Sequence, residues 1–150
     1  MDLQEVINRY EMASFTVTKR IQSLIKEQLQ DILTIEQHCI LRTIKLLGRA
    51  TTTELAEMFL VNKSAITAII ARLTEKGYIK RFRDRKDRRI VYLMLTEEGN
   101  NVFEWANKKV FEIVSTYLKQ FDQKEIEAFI HTFETFAQLL HEEKEEKLEE

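Results

Sequence analysis

The chain has 150 residues, 44% hydrophobic and 32% charged, with a net charge of −2, which suits one soluble, helix-rich domain rather than a disordered segment. It contains no proline, and its three glycines (Gly48, Gly77, Gly99) fall at predicted element boundaries, so long uninterrupted helices are favoured. No apolar run approaches the roughly 20 residues of a membrane helix, the N-terminus lacks a signal-peptide layout, and a lone cysteine, Cys39, makes no internal disulfide, so the expected compartment is the cytoplasm.

In chain order, residues 3 to about 30 read as one long helix. Val6, Tyr10, Ala13, Val17, Ile21 and Leu24 recur at alternating steps of three and four, a stripe that needs a partner surface either in its own subunit or in a second copy. Thr34 is the predicted N-cap of a helix over 35–47, with Glu36 in its first turn and Gly48 just past its end. Its expected buried positions are Ile40, Leu41, Ile44 and Leu47. Thr51, with Glu54 three residues on, is a capping-box signature for a short helix whose apolar positions are Leu55, Ala56 and Phe59. That helix breaks at Leu60-Val61-Asn62, where Asn62 is the predicted N-cap of the next.

The helix after Asn62 places Ile66, Ile69, Ile70 and Leu73 on one stripe. Its other face offers Ser64, Ala65, Thr67, Ala68 and Arg72, small or hydrogen-bonding residues such as a groove-reading helix needs. Gly77 ends it, and a β-hairpin is predicted, with Tyr78, Ile79 and Phe82 on one strand and Val91, Leu93 and Leu95 alternating on the other. From Asn62 to Arg89 there are ten basic and three acidic residues, a net of +7 that leaves about −9 for the rest of the chain. Such a local excess is an electrostatic footprint for phosphates.

Thr96 caps a further helix running to about residue 118, and Asp122 with Glu125 opens a last one. On that last helix Ile126, Phe129, Ile130, Phe133, Ala137 and Leu140 form one face, which Phe136 widens. The six glutamates and two lysines of residues 142–150 read as a solvated helix end.

Two spaced motifs resemble the MarR family of bacterial dimeric transcription regulators. Asp87, Arg89, Leu95, Thr96 and Gly99 match its D-x-R…L-T-x-x-G pattern, and Leu73, Gly77, Ile79 and Arg81 match the end of its recognition helix, L-x-x-x-G-x-[IV]-x-R. Gln37 and Leu41 resemble its Q-x-x-x-L. The resemblance implies a mainly α fold, with a winged helix-turn-helix DNA-binding core and a small β-hairpin wing flanked by long N- and C-terminal dimerisation helices. On that plan residues 1–33 are an N-terminal dimerisation helix, 34–95 the DNA-binding domain and 96–150 the C-terminal dimerisation helices, within one compact unit. The implied partners are double-stranded DNA, a second copy of the chain and a small-molecule effector, with no membrane and no cofactor.

The expected DNA contacts follow from residue type. Asn62 and Lys63, at the helix start, are assigned to phosphate, and Ser64, Thr67 and Arg72 to bases or phosphate. Arg81 either contacts phosphate or pins the hairpin to the helix. Arg85, Lys86, Asp87, Arg88 and Arg89 form the wing's interface. Arg89 is the expected minor-groove residue, and the resemblance implies that Asp87 holds its guanidinium. Spacing alone places the two on the same side of a strand.

Other chemistries are weaker. Cys39 beside His38 invites a metal or redox reading, but no ligand cluster surrounds them in sequence, and a packed structural thiol is favoured. There is no glycine-rich phosphate loop, nucleophile elbow or Cys/His catalytic spacing, so no enzyme is expected. Tyr10, His38, Arg42 and Trp105 are candidates for lining an effector pocket between the helical bundle and the winged unit. The expected function is a homodimeric, ligand-responsive repressor on a pseudo-palindromic operator. Two recognition helices would enter successive major grooves, with wings in the flanking minor grooves. A winged-helix protein-interaction module and a thiol sensor using Cys39 are the alternatives.

Overall fold

The computed structural model describes residues 1–149, and among them the elements run α1 (Leu3–Leu29), α2 (Ile35–Leu47), α3 (Thr52–Phe59), α4 (Lys63–Glu75), β1 (Ile79–Arg83), β2 (Val91–Leu95), α5 (Glu97–Leu118) and α6 (Gln123–Glu149). The predicted caps are present, and each satisfies an N–H that the first helical turn leaves without a partner. The Thr34 hydroxyl accepts from the Gln37 N–H at 3.1 Å while the Gln37 carboxamide accepts from the Thr34 N–H. Thr51 and Glu54 repeat that reciprocal box on α3, and the Asn62 side chain accepts from the Ala65 N–H at 2.8 Å on α4.

Backbone contacts divide the chain into Met1–Phe111 and Glu112–Glu150. The division falls inside α5 rather than at residue 96, because Gly99, Phe103 and Ala106 are buried in the same core as the winged elements. That core joins Leu29 and Leu33, Ile40, Leu41 and Ile44 of α2, Leu55 of α3, Ile66, Ile70 and Leu73 of α4, and Ile79 and Leu93 of the hairpin. Burying a side chain of this size contributes roughly 1.5–3 kcal/mol. Leu47 departs from expectation: it is 47% exposed. The buried stripe of α2 starts a turn earlier, at Gln37 and His38, and residues 45–49 all lie in solvent, so the last turn overruns the core.

The hairpin pairs antiparallel from Ile79↔Leu95 to Arg83↔Val91. Ala50, between α2 and α3, pairs with Leu93 through two backbone hydrogen bonds of 3.1 and 2.7 Å and so lengthens the ladder by one partner. The end of α4 is locked to the start of α5. Gly77 (φ 81°) donates to the Thr74 carbonyl and Tyr78 to the Leu73 carbonyl, a Schellman closure. The Thr96 hydroxyl then donates to the Gly77 carbonyl at 2.5 Å and accepts from the Gly99 N–H at 2.9 Å. A Cβ on residue 99 would lie 1.9 Å from the Tyr78 carbonyl oxygen, so this position admits only glycine for lack of space.

Within α1 only Leu29 is buried, and Val6, Tyr10, Met12, Phe15 and Val17 face solvent. In the second unit, the Glu125 carboxylate accepts from the Asp122 N–H at the start of α6, and Phe129 and Phe133 stack with ring centroids 5.4 Å apart. Phe129, Ile130, Phe133, Phe136 and Leu140 are all exposed. The acidic end of α6 stays helical to Glu149, with pairs His141–Glu145 at 3.6 Å and Glu143–Lys147 at 3.1 Å. No helix among the described residues is long and apolar enough to cross a membrane.

Candidate nucleic-acid interface

Helical geometry sets the outward face of α4 opposite its buried Ile66, Ile70 and Leu73. Ser64, Thr67, Ala68 and Ala71 lie there, all exposed. The Thr67 hydroxyl donates to the Lys63 carbonyl at 2.7 Å, so its methyl and its oxygen lone pairs are what it presents outward. Asn62 is engaged as the cap, and Lys63 beside it is exposed at the positive end of the helix dipole. Arg72 sits apart from these residues. It lines an open cleft of about 810 Å³ with Lys26 and Asp31 near the end of α1 and with Glu36 and Gln37 at the start of α2. The neighbouring Lys76 donates to the Ile32 carbonyl at 3.0 Å and to the Gln37 carboxamide at 3.4 Å, tying the end of α4 to the α1–α2 joint.

The wing turn, residues 84–90, is built by its own polar groups. The Asp84 carboxylate accepts from the Lys86 N–H at 2.8 Å, an Asx-type turn. The Asp84 N–H donates to the Ile90 carbonyl, the Ile90 N–H to the Asp87 carbonyl, and the Arg83 guanidinium to the Arg88 carbonyl at 2.8 Å. Asp87 and Arg89 therefore lie in the turn and not on a strand, since β2 begins only at Val91.

Their pairing is present and bidentate. Arg89 donates through Nε at 3.0 Å and Nη2 at 3.1 Å to the two Asp87 oxygens, and its backbone N–H donates to the same carboxylate. The hydrogen bond from the Arg89 side chain, and then the one from its backbone, hold the Asp87 carboxyl below the usual carboxylate range. The same bond raises the guanidinium pKa. The Arg89 side chain remains 90% exposed, a cation held in direction but not covered. Arg81, Arg85, Lys86 and Arg88 are exposed around it.

Sequence reasoning passed over Arg49. Its guanidinium lies 3.9 Å from the centroid of the Tyr92 ring, and Tyr92 in turn meets Phe82 across the hairpin at 5.5 Å. Arg49 and Tyr92 are 43 positions apart, so no local signal joins them.

The four residues expected to line an effector pocket lie in different surroundings. His38 is buried, stacked on Phe103 at 5.9 Å, and its Nε2 has no hydrogen-bond partner. Burial, and then the charge of Arg42, push its pKa below the ordinary histidine value. Arg42 is exposed and donates to the Cys39 sulfur at 3.8 Å, Trp105 is half-buried against the core, and Tyr10 lies on the exposed stretch of α1. Neither the α1–α2–α4 cleft nor a shallow groove of about 490 Å³ on α1 is lined by any of the four. Cys39 is half-buried, and no group of three or more His, Cys, Asp or Glu suited to a metal ion occurs among the described residues.

Known proteins are similar to the chain over this region. The MarR family model matches residues 33–91, from just before α2 to the first residue of β2. An uncharacterized HTH-type transcriptional regulator of Bacillus subtilis, YpoP, is 37% identical over 106 residues, 71% of this chain and 73% of its own length. The HTH-type transcriptional repressor MdtR of the same organism is 33% identical over 99 residues, 66% of this chain and 64% of its own. The structure of a MarR mutant from E. coli complexed with operator DNA superposes with a TM-score of 0.74 over 91% of this chain and 99% of that one; at 23% identity it speaks for the fold alone. The chain thus belongs to the MarR family and is a transcriptional regulator with a DNA-binding winged helix, not an enzyme.

Proposed function

We propose that the chain acts as a homodimeric repressor on a pseudo-palindromic operator, with α4 in the major groove and the wing turn in the flanking minor groove. The observation that carries this reading is Arg89, an exposed guanidinium aimed by two bonds from Asp87 on a turn ordered by its own backbone. A narrow minor groove concentrates negative potential, and an arginine already fixed in direction loses less entropy on entering it. Asn62, Lys63, Ser64 and Thr67 serve as contacts from α4, and Arg81, Arg85, Lys86 and Arg88 as phosphate contacts around the wing. Arg72, on the flank of α4, reaches the phosphate backbone rather than bases.

Dimerisation is supported by the uncovered apolar faces of α1 and of α6. Each exceeds the scattered exposure usual for a monomer. Repression is suggested by MdtR, which is named a repressor, and operator binding by the MarR–operator complex. A small-molecule effector that alters the spacing of the two winged units would release DNA. The chain works in the cytoplasm, where the operator is.

Selection of bound sites from random duplexes tests this reading. The expected product is a pseudo-palindrome with half-sites about 10 base pairs apart, one helical turn. A single asymmetric site, or no saturable duplex binding at low salt, would contradict it; the latter would favour a protein-interaction module.

A further inference from the structure

We propose that Arg49 is a further DNA contact, a phosphate clamp that Tyr92 holds against the flank of the wing. The inference rests on the reading of the wing as DNA-facing.

Three observations carry it. The first is anchoring. Gly48 turns the chain out of α2 at φ 80°, and Ala50 is fixed to Leu93 by two backbone hydrogen bonds, so the backbone on both sides of Arg49 is held. The second is the stack itself. At 3.9 Å the guanidinium lies directly over the Tyr92 ring, which is itself braced by Phe82. Stacking occupies a face of the guanidinium and leaves its N–H edge available, the geometry in which arginine takes a phosphate by two bonds. Arg49 is exposed, and among the described residues no carboxylate lies within ion-pair distance of it.

The third is position. Tyr92 pairs with Phe82, one step from the Arg83↔Val91 pair that opens into the cationic turn. Tyr92, under the stacked guanidinium, is the second residue of the strand that leads out of the turn carrying Arg89. By strand alternation Lys80 shares the hairpin face of Phe82 and Tyr92, so this face carries two cations around an aromatic pair. The positive surface of the wing thus continues past the turn onto a residue outside the basic 62–89 segment. Tyr92 is the positioning residue and Arg49 the contact.

The test is a salt series of binding to a labelled mixed-sequence duplex, comparing the wild-type chain with Arg49→Ala, Arg49→Lys, Tyr92→Phe, Tyr92→Leu and Arg89→Ala. Arg49→Ala should flatten the log–log slope by about one unit and weaken binding about three- to tenfold at moderate salt. Arg49→Lys should restore the slope, and Tyr92→Phe should match the wild type because the ring is kept. Tyr92→Leu should weaken binding at an unchanged slope, since the cation remains but is no longer held; if that variant melts early, Arg49→Ala and Tyr92→Phe decide. An unchanged slope in Arg49→Ala, with or without weaker binding, overturns the contact. Where Arg89→Ala flattens the slope and Arg49→Ala does not, only this inference fails. Where neither does, the reading of the wing fails with it.

Discussion

Helices α1 and α4 carry apolar stripes of similar regularity, yet the chain treats them differently. Ile66, Ile70 and Leu73 of α4 are enclosed by α2, α3 and the hairpin, whereas Val6 and Val17 of α1 stand in solvent, Val17 at 60% exposure. Periodicity therefore reports that a helix has a face to bury, and says nothing about where the covering surface comes from. The face of α4 is a matter of folding, and on the proposed homodimer the face of α1 is a matter of association.

The largest effect should come from the covered face. Ile70→Ala should cost about 2–5 kcal/mol of unfolding free energy in a denaturant titration, because the enclosed site cannot collapse around the loss. Val17→Asp should leave the fold of the single chain intact and instead raise the self-dissociation constant about tenfold or more, read by sedimentation equilibrium, if α1 is covered by a second copy. An Ile70→Ala variant as stable as the wild type, or a Val17→Asp variant with unchanged association, would erase the distinction.

Gly99→Ala sharpens the covered side. The added methyl would lie 1.9 Å from the Tyr78 carbonyl oxygen, so the backbone there must shift, which should cost about 1–3 kcal/mol by thermal unfolding. A neutral result would mean that the α4–α5 joint yields easily.

His38 extends the comparison to a covered polar group. Its pKa is lowered in the folded chain by burial and by Arg42, with Phe103 as its only stacking neighbour among the described residues. The folded state therefore binds the proton less readily than the unfolded state. The associated stability is complete above the unfolded histidine value, near 6.5, and declines as pH falls below it, by at most about 1.4 kcal/mol per pH unit. His38→Phe should remove that decline from a series of denaturation curves, and a decline that persists unchanged would assign it elsewhere.

The smallest effect belongs to an uncovered apolar residue. Leu60 joins α3 to α4 with φ 55° and is 69% exposed, so it contributes backbone strain and little packing. Leu60→Gly should raise stability by roughly 0.5–1 kcal/mol in the same denaturant assay. Destabilisation would show that the exposed side chain makes contacts worth more than the strain it brings.

How much of this was legible in the sequence follows physical range. Thr34, Thr51, Asn62 and Thr96 were readable as caps because each acts on an N–H three residues away. The stripe of α4 was readable for the same reason. Leu47 misled because periodicity continues past the point where a neighbour stops. The Ala50–Leu93 pairing and the Arg49–Tyr92 stack join segments over 40 residues apart, and no local pattern encodes them. Asp87 and Arg89 fall between these cases. Their spacing was visible and the family resemblance implied the pairing, but only the fold shows that they sit in a self-bonded turn rather than on a strand. The burial of His38 was likewise hidden, since histidine carries no fixed preference for inside or out.

On the proposed reading the wing works through one aimed arginine and not through its charge alone, and the Asp87→Ala variant decides between the two. Removing a carboxylate from a cationic turn should, by charge counting, tighten DNA binding. If Asp87 instead holds Arg89 in direction, the same change frees the guanidinium and weakens binding. Titration of a labelled operator duplex by the wild-type and Asp87→Ala chains, at two salt concentrations, separates the two. Asp87→Ala should bind more weakly at both, by about 1 kcal/mol, within the range of specific contacts. Tighter binding would mean that the turn is only a basic patch and that the roles assigned to Asp87 and Arg89 are wrong.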